Sequence, residues 1–364
     1  MKLNSEISKY ITKTFILSSC IVVLTFASII FIGDLVEYNK QLSSYDNNNI
    51  SLIVLLCSLN LPKMLQEVLP FCLLFSGMLW TIKINNNKEL LIIRSSGLPV
   101  RKICYPIFLV SMIIGFLSVT TLSPLISATQ KKIQYIESER LGKPINSLLV
   151  TPSGFWVRQG SNEGKDIIYA KTLNSKNMTF SDVTVFKFNN NYEIQKRIKA
   201  KNSELFESFW LLKNTRTISN LGEIVSSDFI KLPTSITKSQ IREGFSSPES
   251  LSLWTLIPFI KMFENAGFSA KKHRYHLYKL STFPFLLASM SILGVSFNLN
   301  MFSRKKSNYN ILIGIIFGFT IFYITKIINA LAISGKMSLF FGTILPVLLP
   351  LLLGIFLIIH ADEK

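Results

Sequence analysis

The stretch TFILSSCIVVLTFASIIFIG, residues 14–33, contains no charged side chain over its whole length. A helix of about 20 apolar residues crosses the roughly 30 Å hydrocarbon core of a bilayer, so this stretch predicts a membrane span. No small-residue cleavage site follows it and further apolar blocks do, which argues against a secretory signal peptide. The further blocks cover residues 52–83, 103–125, 278–300, 310–332 and 339–360. The sequence therefore predicts six transmembrane helices.

The composition favours the same class of protein. Hydrophobic residues make up 49% of the 364-residue chain and the mean hydropathy is +0.38, a combination that is rare in soluble domains. The net charge of +18 does not indicate nucleic-acid binding, because the basic residues form no single patch beside a recognisable nucleic-acid module. We expect a membrane protein without a nucleic-acid partner.

Lysine and arginine in the short connections predict the orientation, because cytoplasmic loops carry an excess of both. With the N-terminus in the cytoplasm, the short outer loops contain only Lys40 and Lys336. The inner segments contain Lys2, Lys9, Lys13, Lys83, Lys88, Arg94, Arg101, Lys102, Arg304, Lys305, Lys306 and Lys364. Both termini are thus expected in the cytoplasm, with residues 126–277 outside.

The long outer segment changes from helical blocks to short alternating runs at about residue 145. Runs such as DIIYAKTL and MTFSDVTVFKF are rich in β-branched and aromatic residues, and Gly, Asn, Ser and Asp separate them. Many strands without intervening helices predict an all-β sandwich or jelly roll, and in the jelly roll Phe186 and Phe188 are expected to face inward. The stretch SPESLSLWTLIPFIKMFENAGF, residues 247–268, predicts a capped amphipathic helix after the strands.

These patterns give a fold class and a division of the chain. The class is an α-helical polytopic membrane protein, with three spans before and three after an inserted all-β periplasmic jelly-roll domain. The divisions are 1–130 for spans one to three, 131–246 for the jelly roll, 247–277 for the helix and connector, and 278–364 for spans four to six.

Sequence signatures of catalysis do not occur in the chain. There is no GxxxxGK[ST] loop for ATP, no GxSxG and no HExxH. His273 and His276 have the i, i+3 spacing of a metal pair, but they lack a nearby carboxylate and belong to the run KKHRYHLYK beside a span. We interpret that run as an interfacial anchor of basic and aromatic residues. We expect no cofactor, no metal and no enzymatic activity of the chain's own.

The polar segment NNNKELLIIRSSGLPVRK, residues 85–102, lies on the predicted cytoplasmic side between spans two and three. Asn87 can cap a short helix, Glu89 favours its first turn, and Gly97 can end it. One interpretation is an ordinary loop whose basic residues enforce topology. The other is a coupling helix that docks into a cytoplasmic ATPase, because apolar residues beside charges suit a protein interface. The residues assigned to that contact are Glu89, Leu90, Ile93, Arg94 and Gly97, with Leu90 and Ile93 filling an apolar groove.

Three stretches resemble the LptF/LptG family of lipopolysaccharide-export permeases, and its LptG branch in particular. They are LPKMLQEVLPFCLLFSGMLW…NKELLIIRSSG (61–97), FENAGFSAKKHRYHLYKLSTFP (263–284) and ALAISGK…LP…IIHADEK (330–364). The resemblance covers all six spans and implies a protein of the bacterial inner membrane with its β domain in the periplasm. It implies a heterodimer with a paralogous permease, a cytoplasmic ATPase dimer, and a single-span periplasmic jelly-roll protein that carries the lipid onward. In that family Glu89 and Arg94 match charged positions of the coupling segment.

The resemblance also implies a lipopolysaccharide substrate with acidic sugar phosphates and several acyl chains. Such a substrate requires an apolar cavity for its acyl chains and basic groups for its phosphates at the outer rim of the membrane. The candidate substrate-binding residues are Lys40, Lys63, Glu67, Lys271, Lys272, Arg274 and Lys326. Each basic candidate has the alternative interpretation of a snorkelling interfacial anchor, and Lys63 and Glu67 can pair at i, i+4. Family members can carry extra basic residues after span one, where this chain has Asp34 and Glu37.

The predicted function is therefore that of a non-catalytic permease subunit in an ABC transporter. It would extract lipopolysaccharide from the inner membrane and pass it to a periplasmic jelly-roll bridge, driven by a separate ATPase. A lipoprotein-releasing or mechanotransmission-type permease remains an alternative, although that architecture usually has four spans. A non-transporting membrane sensor or scaffold with a β ligand-binding domain is the alternative from a different class.

Overall fold

A computed structural model describes most of the chain. The described residues are 2–43, 50–95, 99–140, 148–151, 154–161, 164–174, 179–189, 193–206, 208–219, 222–234, 248–265, 269–299 and 304–362. The chain forms two compact units, one of Met1–Ile133 with Arg274–Lys364 and the other of Gln134–His273. The first unit is helical and the second is built around a β-sheet.

Long apolar helices make up the first unit. They are α1 (Lys2–Ser43), α2 (Ile50–Asn86), α4 (Val100–Leu117), α5 (Ser123–Arg140), α7 (Lys271–Ser296), α8 (Arg304–Ile333) and α9 (Leu339–Asp362), with the short α3 (Glu89–Ser95) between α2 and α4. A π-helical turn, Ser118–Leu122, joins α4 and α5 into one span. Six helical stretches in the described residues are long and apolar enough to cross a membrane. The prediction of six spans is confirmed.

Helix α7 is the most enclosed of the six spans, because 72% of the residues in its most apolar stretch are buried inside the protein. Small residues allow this close packing. A Cβ atom on Gly294 would collide with the backbone carbonyl oxygen of Leu74 in α2, and one on Gly77 would lie 2.6 Å from the carbonyl oxygen of Ser291. Without a strong hydrophobic drive between helices in lipid, such close backbone approach supplies the packing energy. These glycines therefore fix α2 against α7.

Within the described residues, the second unit contains a seven-stranded antiparallel sheet. Its strands are β1 (Leu148–Thr151), β2 (Gly154–Ser161), β3 (Gly164–Asn174), β4 (Thr179–Phe188), β5 (Ile194–Leu205), β6 (Phe209–Ser219) and β7 (Ile224–Pro233). Their order in the sheet is their order in the chain. The predicted fold class, six membrane helices with an inserted all-β domain, is confirmed, and the described strands follow one another as a meander.

The sheet curls around an apolar core. Phe155, Phe180 and Trp210 are all buried, with ring centroids 5.4 Å apart for the first pair and 4.8 Å apart for the second. Gln159 in β2 reaches the far end of the sheet, because its amide donates to the Pro233 carbonyl at 3.1 Å. Strands β2 and β7, near opposite ends of the meander, thus approach each other at this point, so the sheet is strongly curled.

A local bend in the sheet, here called the crease, lies at Asp182 in β4 and Asn214 in β6. It changes which side chains of β4 face inward from those predicted. Asp182 and Asn214 adopt φ values of 51° and 54°, a left-handed conformation that Asp and Asn tolerate better than most residues. Alternation of inward and outward side chains shifts at Asp182, so that Val183 and Val185 are buried. The prediction that Phe186 and Phe188 face inward is wrong. Both are half-buried, and the guanidinium of Arg197 lies 5.3 Å from the centre of the Phe186 ring.

Helix α6 (Leu253–Asn265) follows the strands and confirms a helix within the predicted stretch, while Gly267, its predicted end, lies outside the described residues. Ser252 begins the helix, accepting a hydrogen bond from the Thr255 N–H at 3.4 Å. His273 lies between the rings of Phe259 and Phe263, with centroid distances of 5.0 and 5.3 Å, and is 5% exposed. Interpreting His273 as a surface anchor is therefore wrong, because aromatic packing buries it.

Candidate coupling segment and membrane charges

The turn between α2 and α3 is fixed by backbone geometry. Lys88 adopts φ 58°, its N–H donates to the Asn85 carbonyl at 3.0 Å, and its own carbonyl accepts the first α3 hydrogen bond from Ile92 at 3.3 Å. The Asn85 side-chain amide donates to the carbonyl of Asn298 at 2.7 Å. Because Asn298 follows α7, the start of the segment is tied to the most enclosed span.

The carboxylate of Glu89 is held by two donors. The Tyr10 hydroxyl of α1 donates to Oε2 at 2.9 Å, and the Asn87 side-chain amide donates to Oε1 at 3.0 Å. The first bond joins residues 79 positions apart, so it fastens α3 to the beginning of span one. Asn87 was predicted to cap α3, but its amide instead orients the acidic side chain.

The apolar residues of α3 face two ways. Leu90 is 4% exposed and packs within the chain, whereas Leu91 is 52% and Ile92 is 65% exposed. The proposal that Leu90 fills a groove on a partner is therefore corrected, because a side chain this buried has almost no surface to offer. Leu91 and Ile92 supply the exposed apolar surface, and Ile93 is half-buried. The side chain of Arg94 and all of Gly97 lie outside the described residues.

Two of the charged candidates lie together on the membrane spans. The Lys326 ammonium of α8 is 3.9 Å from Oε2 of Glu67 in α2, and it lies 5.1 Å from the centre of the Phe322 ring. The two charged side chains are 52% and 39% exposed, so the pair lies at the surface of this chain. Lys63, one turn before Glu67, is half-buried. The i, i+4 spacing suggested that Glu67 pairs with Lys63 of the same helix, and did not predict its ion pair with Lys326 of α8.

The remaining basic candidates lie at helix ends. Lys40 is in the last turn of α1, and the first turn of α7 contains Lys271, Lys272 and Arg274. All four residues are exposed. Helix ends are the positions at which basic side chains reach the polar layer of a membrane, so their location agrees equally with substrate contact and with anchoring.

A buried polar contact between spans was missed by sequence reasoning. The Asn60 side-chain amide of α2 donates to Oδ2 of Asp34 in α1 at 2.9 Å, and the Gln130 side-chain amide of α5 donates to Oδ1 of Asn60 at 3.5 Å. Asp34 and Asn60 are each 8% exposed. An acidic residue directly after the first uncharged stretch was the available signal. Buried polar groups in a helix bundle require hydrogen-bond partners. Here the pairing links three helices through Asp34, Asn60 and Gln130.

The described residues contain no cluster of three or more His, Cys, Asp or Glu side chains that could hold a metal ion. The sequence matches the family described as "Lipopolysaccharide export system permease LptF/LptG" over residues 9–360, almost the whole chain. The chain belongs to the LptF/LptG family. The resemblance inferred from three stretches of sequence is confirmed, and it extends across the β domain.

Two relatives are similar to this chain over nearly their whole length. The lipopolysaccharide export system permease protein LptG of Escherichia coli strain K12 is 22% identical over 358 residues, covering 93% of this chain and 94% of that protein. The protein of the same name from Escherichia coli O6:H1 has the same identity and coverage. The chain is thus an LptG-like, multi-pass permease of lipopolysaccharide export.

Proposed function

We propose that this permease is the membrane subunit that takes lipopolysaccharide out of the inner membrane and hands it to a periplasmic jelly-roll bridge. It would work as a heterodimer with a paralogous permease above a cytoplasmic ATPase dimer, beside a single-span jelly-roll partner. The observation that carries the proposal is the family match over residues 9–360. Energy would come from the partner ATPase, with this chain transmitting force rather than performing chemistry.

The proposed orientation has both termini and α3 in the cytoplasm and the β domain in the periplasm, as the lysine and arginine distribution favours. Two exposed positions test it: Lys88, before α3, and Ile224, at the start of β7. Single cysteines at these positions, in a chain whose natural cysteines are replaced, should react with a membrane-impermeant maleimide from opposite sides. Labelling of both from the same side would exclude this topology.

Coupling to the ATPase is proposed to run through α3. Leu91 and Ile92 offer exposed apolar surface, and the Glu89 carboxylate is fixed beside them by Tyr10 and Asn87. A carboxylate has about four acceptor sites, so two accepted hydrogen bonds leave capacity for a cationic group of the ATPase. Glu89 is then positioned in advance, which lowers the entropic cost of docking. Arg94 and Gly97 stay in the proposal on the family resemblance alone.

Substrate passage is proposed to use the basic residues at the outer rim and the open edge of the sheet. Lys40, Lys271, Lys272 and Arg274 would contact sugar phosphates, while the Glu67–Lys326 pair and Lys63 would lie beside the lipid path or the paralogous permease. Strand β7 is the last strand of the sheet among the described residues, and most of its residues are exposed, including Ile224 and Phe229. An unpaired edge can accept a strand from a neighbouring jelly roll, which would extend one continuous sheet for the lipid.

Retention of the ATPase during purification tests the proposal. The paired permeases, extracted in mild detergent through a tag on this chain, should retain a nucleotide-binding subunit in stoichiometric amount. A sensor or scaffold would retain none. Purified permease that never retains an ATPase, under conditions in which its paralogous subunit remains bound, would contradict the coupling function.

A further inference from the structure

Helix α6 has apolar residues on two opposite faces. Leu256, Ile260 and Phe263 lie on one face and are 0%, 6% and 4% exposed. On the other face Trp254 is 65% and Ile257 is 47% exposed, in contrast to the buried tryptophan of the β-sheet core. These two large apolar side chains form an adjacent exposed pair, and covering them would remove apolar surface from water.

The size of this face favours a lipid surface over a stable protein partner. A tryptophan buries at most about 250 Å² when covered, so its exposed part and that of Ile257 together offer roughly 250 Å². A standard protein interface needs about 800 Å² from each partner. Interfacial helices, in contrast, hold to a membrane with a few large apolar residues and basic neighbours.

Charge and connectivity fit the same environment. Lys261, two turns after Trp254, is exposed, and the basic first turn of α7 contains the exposed Lys271 and Lys272. Only five residues separate the end of α6 at Asn265 from the start of α7, a membrane-spanning helix. Such a connector reaches roughly 20 Å at full extension, so the end of α6 cannot lie farther than that from the start of a span.

We propose that the outer face of α6 lies on the surface of the phospholipid bilayer, with the Trp254 ring at the level of the headgroups and Lys261 toward anionic phosphates. Tryptophan is enriched at this depth because its ring is apolar while its N–H requires a polar partner. The Ser252 cap fixes the first turn and hence the direction of Trp254. This role as a membrane anchor does not depend on what the permease transports.

Tryptophan quenching by brominated lipids tests the anchor in the full-length permease, within its complex. The complex is placed in nanodiscs of phosphatidylethanolamine and phosphatidylglycerol, with or without phosphatidylcholine dibrominated near the headgroup end of its acyl chain. Wild type is compared with Trp254→Phe, a substitution at an exposed position. Trp156→Phe is the matched control, because Trp156 is half-buried in β2 and packs on Tyr169 with centroids 4.6 Å apart.

We expect lipids brominated near the headgroup to quench the tryptophan fluorescence of the wild-type complex. Trp254→Phe should remove most of the quenching that comes from tryptophans of this chain. Trp156→Phe should retain it. Equal quenching in wild type and Trp254→Phe would overturn the proposal. Absence of quenching in the wild type would also overturn it, and is the result expected if a protein covers this face of α6. ATPase retention is measured on the same samples, so failure of the anchor is distinguishable from failure of the proposed transport function.

Discussion

Ile92→Ser is the sharpest perturbation of the proposed coupling surface. Fully burying an isoleucine side chain is worth about 1.5–3 kcal/mol, and 65% of this side chain remains available for burial by a partner. Losing that contribution weakens docking by about 1–2 kcal/mol, which corresponds to about a 5- to 30-fold rise in the Kd for the ATPase. Serine and isoleucine have similar helix propensities, so α3 itself should persist. Titration of labelled ATPase onto the permease pair in nanodiscs measures the affinity.

Two control variants separate docking from folding. Ile224→Ser changes the same residue type at 67% exposure, in β7, and should leave ATPase affinity unchanged. Leu90→Ser changes a side chain that is 4% exposed, and should lower the yield of folded protein because it leaves a hydroxyl in an apolar site. Wild-type ATPase affinity in Ile92→Ser, with the protein folded, would refute the assignment of α3 as the coupling element.

Three further outcomes are expected. Tyr10→Phe removes the donor to Glu89 and should weaken ATPase binding by a few-fold at unchanged abundance. A double-mutant cycle with Glu89→Ala should give a coupling energy of about 0.5–1.5 kcal/mol, and strictly additive effects would contradict the positioning role. Gly294→Ala should destabilise the helical unit by about 1–3 kcal/mol, whereas Gly33→Ala should not, since open space surrounds the Gly33 position; equal thermal stability in detergent would contradict the packing account. Lys326→Met should change stability by less than about 1 kcal/mol, because its ion pair is long and half-exposed, so a large loss of lipopolysaccharide release at normal stability would support a role on the lipid path and normal release would remove it.

The membrane spans were predictable because the bilayer imposes one simple requirement on sequence. Every spanning backbone must satisfy its own hydrogen bonds in a helix of about 20 apolar residues, and six such stretches are visible without knowledge of tertiary contacts. The packing partners were not visible. Which helix faces Gly294 is decided by residues more than 200 positions earlier in the chain, and one sequence carries no record of that contact.

The β domain was predictable as a class, but the direction of its side chains was not. Period-two alternation gives alternating faces only while each residue stays in extended conformation. The positive φ at Asp182 interrupts that condition and moves Val183 and Val185 inward, leaving Phe186 toward Arg197. A single aspartate inside an apolar strand was the available sign of the crease, and its conformation became evident only from the fold.

At α3 the sequence indicated a short polar-apolar helix, and Glu89, its predicted coupling residue, accepts hydrogen bonds from Tyr10 and Asn87. It could not distinguish Leu90 from Leu91, because a helix of seven residues is too short for its periodicity to define a buried face. Tyr10 was overlooked since its link to Glu89 spans 79 positions. Local patterns gave the type of element, and long-range contacts determined which of its side chains remain available to a partner.

Reconstitution of ATP-driven lipid release is the most direct test of the central claim. This permease, its paralogous subunit and the ATPase are placed in proteoliposomes loaded with lipopolysaccharide that carries a photo-crosslinkable label, and a soluble jelly-roll acceptor is added outside. We expect ATP-dependent crosslinking of lipopolysaccharide to the acceptor, reduced several-fold by Ile92→Ser. Transfer that is independent of ATP, or that is unaffected by Ile92→Ser while the complex is intact, would contradict it.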